Sequence, residues 1–323
     1  MDLKEKLKSN PISKQPYMLI KRLKDKRTYE NYFGYHGKFE DRRKSQRKLC
    51  VILAGYKEFL FDSVFTRIEQ NIQDDIDVCV VSSGLYSDVL SNLCRKNGWS
   101  YLSTEENDVS LVQNVAINLH PNAEYIFKLD EDVFIPKNFF VRMMDVYNQN
   151  LEGDYNPGVV APLLLVNGYA SLRILRMLNI EEAFVERFGS IKYAAGPEQV
   201  IEKDANAARF MWGEDGIVPH IDDINARFSE MPQTITPCPI RFSIGAIMFP
   251  RYTWEHMNYF DVNRKDKNMM GKDEVKLCRY CCINSRPIIV SDNIVVGHFS
   301  FGAQTEGMKQ FYNEHPERFR IQD

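Results

Sequence analysis

Long apolar runs are missing from this sequence of 323 residues: none approaches the roughly 20 apolar residues that cross a bilayer, and no h-region follows Met1. That excludes a membrane-embedded chain as the first reading and makes the cytoplasm the expected compartment. The seven cysteines, Cys50, Cys79, Cys94, Cys238, Cys278, Cys281 and Cys282, are an odd set in a long chain and form no small-domain disulfide framework. "LCRYCC" brings three sulfurs together with no histidine beside them, so a tetrahedral zinc set is incomplete and buried structural thiols are expected. Internal repeats, low-complexity tracts and any recognisable nucleic-acid module are also absent, and the net charge of -3 gives no basic footprint for nucleic acid.

What is present is core material. At 44% hydrophobic and 12% aromatic, the chain can build one large core or two fused ones. The modest net charge hides an asymmetry: residues 1–48 hold 15 Lys or Arg against 6 Asp or Glu, leaving 26 against 38 for the remainder. This basic extension has two readings: an amphipathic helix packed through Tyr17, Met18, Leu19, Ile20 and Leu23, or a peripheral contact with an anionic membrane face or an anionic lipid-linked acceptor.

From Leu49 the hydrophobic pattern alternates between strand and helix. "LCVILAG" and "DVCVVSSG" are short continuous apolar runs of the kind buried on both faces of a sheet, and "WSYLS" and "YIFKL" follow as further strands. Between them, Phe59, Leu60, Val64, Phe65, Ile68 and Ile72 recur at helical spacing. A second helix starts near Ser87 and stops at Asn97-Gly98, and a third is capped by Asp108 and ended by "HPN". Pro136 is expected to open the next helix, before a strand "GVVAPLLLV". Residues 167–235 turn helical and charged, with "IEEAFVERF" and "PEQVIEKDANAARF" as the clearest pieces. Strand character returns at "IRFSIGAIMFP" and "RPIIVSDNIVVGH". The expected class is α/β, a Rossmann-like, mostly parallel central sheet flanked by helices, with ligands at the carboxyl ends of the strands.

At one such end lies "KLDEDVF". Asp130, Glu131 and Asp132 follow a buried strand, and like charges this close raise the pKa of at least one of them unless something positive joins them. Two carboxylates at i and i+2 suit a hard divalent cation shared with ligand phosphates. A second acidic pair, Asp273-Glu274 in "GKDEVKLC", reads either as a general base and its neighbour or as first-turn acids favoured by a helix dipole. His298 ends an apolar run and serves as a structural residue or as a metal or phosphate contact. Gly245-Ala246 allows close backbone approach or marks a bulge. "FMWGEDG" offers Trp212, Glu214 and Asp215 as a sugar-stacking loop, or a packed aromatic beside solvated acids.

In element order this chain resembles the GT-A glycosyltransferases, closest to the inverting family 2 type, over roughly Leu49 to His298. "CVILAGYKE" is similar to the family's first strand and nucleotide loop. "NDVSLVQNVAINLHPNAEYIFKLDEDVFIPKNFF" is similar to the approach to its D-x-D, and "IGAIMFPRYTWEHM" with "GKDEVKLCRY" to its acceptor glycine region and E-D-x-x-L-C-x-R segment. "YIFKLDEDVF" also resembles the beta-1,3-galactosyltransferases. Ser82-Ser83-Gly84 stands where many relatives carry an acid, and the acidic pair is reversed to Asp-Glu.

The resemblance implies a single fused GT-A domain: a basic extension 1–48, a nucleotide-sugar half 49–155, and an acceptor half 156–323 with a helical insertion 167–235. It implies Mn or Mg held by Asp130, Asp132 and His298, and a nucleotide-sugar donor, UDP-linked, lined by Ala54, Gly55, Tyr56, Ser83, Asn114, Leu129, Asp130, Glu131, Asp132 and Gly245. Glu274 or Asp273 would act as base toward a glycan or lipid-linked acceptor in polysaccharide biosynthesis. Two rivals use the same residues: a metal-dependent nucleotidyltransferase, and a GT-A scaffold that grips a glycan without turnover.

Overall fold

The computed structural model describes residues 26–193, 199–262 and 271–322. Its frame is a ten-stranded sheet. In chain order the strands are β1 (Gly37–Glu40), β2 (Lys48–Leu53), β3 (Ile76–Ser83), β4 (Ser100–Thr104), β5 (Tyr125–Asp130), β6 (Val133–Phe134), β7 (Val159–Leu164), β8 (Ile235–Cys238), β9 (Ala246–Pro250) and β10 (Ile288–His298). They lie side by side as β1-β4-β3-β2-β5-β9-β7-β10-β6, with β8 on the flank of β10. The run β4-β3-β2-β5 is parallel throughout, as is β7-β10. This is the expected α/β class with a mostly parallel central sheet.

Burial explains why these segments became strands. β3 and β10 are buried at every position, so their apolar runs satisfy two helical layers at once. Each such Val or Ile contributes about 1.5–3 kcal/mol against leaving it in water. The helices Phe61–Asn71, Asp88–Asn97 and Val109–Leu119 form where the periodicity places them. Ser87 caps Asp88–Asn97 through Leu90 N, and Asp108 caps Val109–Leu119 through Leu111 N. Gly98 ends its helix in the left-handed conformation, φ 68°.

Several features depart from the sequence reading. β9 runs antiparallel between β5 and β7, and only Ala246 onward of "IRFSIGAIMFP" is strand. β1, inside the basic extension, pairs antiparallel with β4. Pro136 does not open the next helix. That helix is Phe139–Leu151, preceded by Asn138 at φ 59°, while β6 uses the residues just before Pro136. "QVIEKDANAARF" is two helices, Val200–Lys203 and Ala205–Met211, because Asp204 leaves the helical region and caps the second through Asn206 N; Pro197 and Glu198 lie outside the described residues.

Residues 26–33 are helical, and Phe33 enters the core against Trp254 and Tyr259. The segment Tyr17–Leu23, on which the packed-helix reading of the basic extension rests, lies outside the described residues. Further along the extension, Arg42, Arg43, Arg47 and Lys48 pair with Glu40, Asp41, Glu124 and Asp75. Among the described residues no helix is long and apolar enough to cross a membrane. Among the described residues one hydrophobic cluster runs from Phe33 to Phe319, so they form a single domain.

Candidate functional site

The register of the sheet assembles the acidic edge. Leu53 at the end of β2 pairs with Asp130 at the end of β5, so the loop leaving β2 passes directly beside the acids. Ala54 is tied down through its N–H to Val81 O (2.9 Å) and its carbonyl to Ser82 Oγ (2.8 Å). On the other side β9 pairs with β5, and Gly245 O accepts from Asp130 N at 2.8 Å. From above, the two-residue pairing of β6 with β10 delivers His298 opposite Val133, next to Asp132.

The three acids then take three different jobs. Asp130 Oδ1 receives the Lys128 ammonium at 2.6 Å, and the same ammonium donates to Ile244 O at 2.8 Å. Glu131 turns back and accepts Gly55 N at 2.7 Å and Tyr56 N at 3.1 Å, fixing the loop after β2. Asp132 carries the Lys57 ammonium, with His298 Nε2 at 3.8 Å from the same Oδ2. Burial pushes Asp130 and Glu131 above the usual carboxylate range, because lysine and backbone donors offset only part of the lost hydration. Burial acts on Asp132 in the same direction, but His298, Lys57 and Lys128 together outweigh it and hold its carboxyl low. The positive charge demanded by the sequence is thus partly inside the chain, in two lysines.

Asp273 and Glu274 open the helix Lys272–Ile283. Asp273 is buried, accepts Gln113 Nε2 at 2.9 Å, and its charge adds to the upward push on Asp130. Glu274 pairs with Arg241. Burial raises its carboxyl above the ordinary range, against the pull of Arg241 and of Lys128. Lys128 therefore acts on both acidic constellations, which share one edge of the sheet. Clefts of about 690 and 550 Å³ flank this helix, lined among others by Val275 and Arg279.

The remaining residues divide. Tyr56 projects a ring that is 62% exposed, its hydroxyl donating to Ser83 O at 2.6 Å, so Gly55, Tyr56 and Ser83 belong to the same rim. Leu129 is fully buried beneath it. A methyl group at Gly245 would stand 3.5 Å from Asp130 Oδ2, so this glycine leaves open the space in front of that oxygen. Asn114 stands apart: it is fully buried, donating to Phe260 O and accepting from Trp254 Nε1 and Phe260 N. Trp212 is buried against Phe134 and Phe319 and holds His298 O through its indole N–H at 3.1 Å, the packed-aromatic reading. Glu214 and Asp215 pair with Arg209 and Arg187. The cysteines of "LCRYCC" are free thiols, but only Cys281 is buried as expected; Cys278 is half-buried and Cys282 exposed on the helix Lys272–Ile283.

For a metal, the donor chemistry fits. His298 Nδ1 donates to Val166 O at 2.8 Å, which turns Nε2 toward Asp132, where it pairs with the carboxylate when the ring is protonated and offers a lone pair to a cation when it is neutral. Lys128 engages Asp130 through Oδ1, and Oδ2 lies on the Gly245 side. Two carboxylates and an imidazole are a set that Mn accepts, while Mg would be held by the two carboxylates alone. Among the described residues no three such side chains are already gathered as a metal cluster. Lys57 and Lys128 went unnoticed in the sequence, although Lys128 carried a signal: a lysine inside the buried strand "YIFKL" has to be paired.

An α/β sheet that sets acids, lysines and a histidine at the carboxyl ends of its strands has the chemistry to hold a divalent cation with an anionic ligand. No protein-family model and no curated protein matches the chain. Among solved structures it is similar to the mannosyltransferase PcManGT from Pyrobaculum calidifontis, solved in complex with GDP-Man and Mn2+: 12% identity, TM-score 0.47, covering 94% of this chain and 72% of that one. It is also similar to S. aureus TarS 1–349, solved in complex with UDP-GlcNAc: 17% identity, TM-score 0.30, covering 36% of this chain and 34% of that one.

Proposed function

We propose that this chain is a metal-dependent, inverting glycosyltransferase of the GT-A family 2 type, moving a hexosyl group from a nucleotide diphosphate donor, UDP-linked, to a hydroxyl of a glycan or lipid-linked acceptor. The observation that carries the reading is that the segment 241–245 links the two acidic constellations: Gly245 O and Ile244 O accept from Asp130 N and from the Lys128 ammonium that pairs with Asp130, while Arg241 pairs with Glu274. A donor diphosphate and a proton acceptor have to lie that close for single displacement.

Asp130, Asp132 and His298 would hold the cation, which when bound supplies Lewis-acid stabilisation of the leaving diphosphate. The loop Gly55–Tyr56 and Ser83 place the nucleoside, with the exposed Tyr56 ring as its platform. Glu274 removes the proton from the acceptor hydroxyl, and burial, which holds its carboxyl above the ordinary range, increases its proton affinity for that step. The acceptor oxygen bonds to the anomeric carbon as the bond to the diphosphate breaks, and the configuration inverts. Residues 49–155 serve the donor, residues 156–323 the acceptor, and the clefts beside Lys272–Ile283 receive the acceptor.

The test is a thermal-shift panel of UDP, GDP, CDP and dTDP, each with manganese, magnesium or chelator, on wild type and Asp132→Asn. One nucleotide is expected to stabilise the wild type by about 2.7 kcal/mol at a hundredfold excess over Kd, only with metal and not in Asp132→Asn. Product analysis with the matching nucleotide sugar then decides the chemistry: nucleoside diphosphate and glycosylated acceptor support the reading. Pyrophosphate release would make the protein a nucleotidyltransferase, and binding without turnover a glycan-gripping scaffold.

A further inference from the structure

The loop after β2 spends its backbone on the protein and not on a ligand. Gly55 N and Tyr56 N, which in that position would be free to cradle phosphate oxygens, both donate to Glu131. What the loop presents at the acids is one side chain, Lys57. Its ammonium sits on Asp132 Oδ2, the oxygen that His298 Nε2 also faces. The Asp132 side chain is 5% exposed and Lys57 23%, so the lysine closes the carboxylate from the solvent side.

A divalent cation and an ammonium on one carboxylate oxygen repel, and the repulsion is several times stronger near a protein surface than in water. The backbone at Gly55 and Tyr56 is anchored through Glu131, so the loop does not retreat. The lysine's flexible stem is the part free to move.

Resting on the glycosyltransferase reading above, we propose that Lys57 is the resident counter-ion of Asp132, displaced when the cation arrives and handed to the donor diphosphate. Glu131 is then a positioning residue that holds the loop still while the side chain swings. The exchange couples the two ligands. A diphosphate that takes up the ammonium frees Asp132 for the cation, and by linkage the cation strengthens diphosphate binding by the same factor. Metal alone meets a carboxylate already neutralised.

Manganese titrations followed by the electron paramagnetic resonance of the free ion test this directly, on wild type, Lys57→Met and Lys57→Gln, without nucleotide and then with UDP or GDP. Removal of the counter-ion is expected to tighten binding of manganese alone by about ten-fold or more, and to shrink the further tightening produced by the nucleotide. Manganese affinity unchanged or weaker in both variants, alongside intact nucleotide synergy in the wild type, would overturn the Lys57 assignment and leave the donor reading standing. If the variants tighten manganese but neither nucleotide affects the wild type, the counter-ion role stands, while the donor reading and the handover fail. Manganese bound by none of the three proteins would overturn both.

Discussion

Lys128 is a charged residue in a place built for apolar ones: 3% exposed on β5, with its ammonium between Asp130 and Ile244 O. Replacing it by methionine keeps the stem's packing and strands Asp130 beside Asp132. Loss of one partner from a buried pair costs about 3–5 kcal/mol, and the lower end applies here because the Asp130 side chain is 32% exposed. The pH dependence has a definite sign. Asp130 already titrates above the usual range, so acidification neutralises it early, and without Lys128 it rises further. Lys128→Met is therefore expected to be more strongly destabilised at pH 8 than in acid, the gap to wild type narrowing as pH falls, measured by denaturant unfolding at both. An equal loss at both would show that the ion pair is not the cause. At this scale the sequence disclosed that three acids needed positive company, because their crowding is local. It did not disclose Lys57, whose partner is set by the β2–β5 register, nor that Glu131 would turn away to hold a loop.

Among the elements, β1 shows how an edge is fastened. Glu40 at its end is half-buried, and takes up Lys38, Arg42, Tyr86 and Ser91, the last on the helix Asp88–Asn97. Burial works to raise its pKa, but these four donors prevail and bring it down to about 2. A depressed carboxylate contributes stability above its unfolded value and loses it as pH falls through the folded one. Glu40→Gln is thus expected to lower stability at pH 7 by about 1–3 kcal/mol, with the gap to wild type closing between pH 4 and about 2. Thermal unfolding across that range checks it. No periodicity marks "GKFE" as a strand: four residues of mixed character acquire their role only from pairing with β4. The parallel strands were legible because double burial writes an uninterrupted apolar run. β9 was legible as a strand but not in its direction, since an apolar run reads the same whichever way it enters the sheet.

For the whole molecule, the clasp around Arg67 joins segments from three distant stretches of sequence. This arginine, 2% exposed on the helix Phe61–Asn71, forms a bidentate pair with Asp222 of the helix Ile221–Ser229 and donates to Ile135 O and Arg320 O. Gln322 N closes the same group on Asp222 Oδ2. The helical stretch 167–235 and the residues near the chain end are thereby fixed to the first half of the sheet, behind the edge that carries Asp130 and Asp132. Arg67→Met removes the guanidinium and leaves Asp222, whose side chain is 20% exposed, without its main partner, at an expected cost of about 3–5 kcal/mol. Because the core is one cluster, the loss should lower a single unfolding transition instead of splitting it in two. Calorimetry of wild type and variant decides between these outcomes. Two resolved transitions in Arg67→Met would mean that the clasp, and not the shared core, holds the two halves to one cooperative unit.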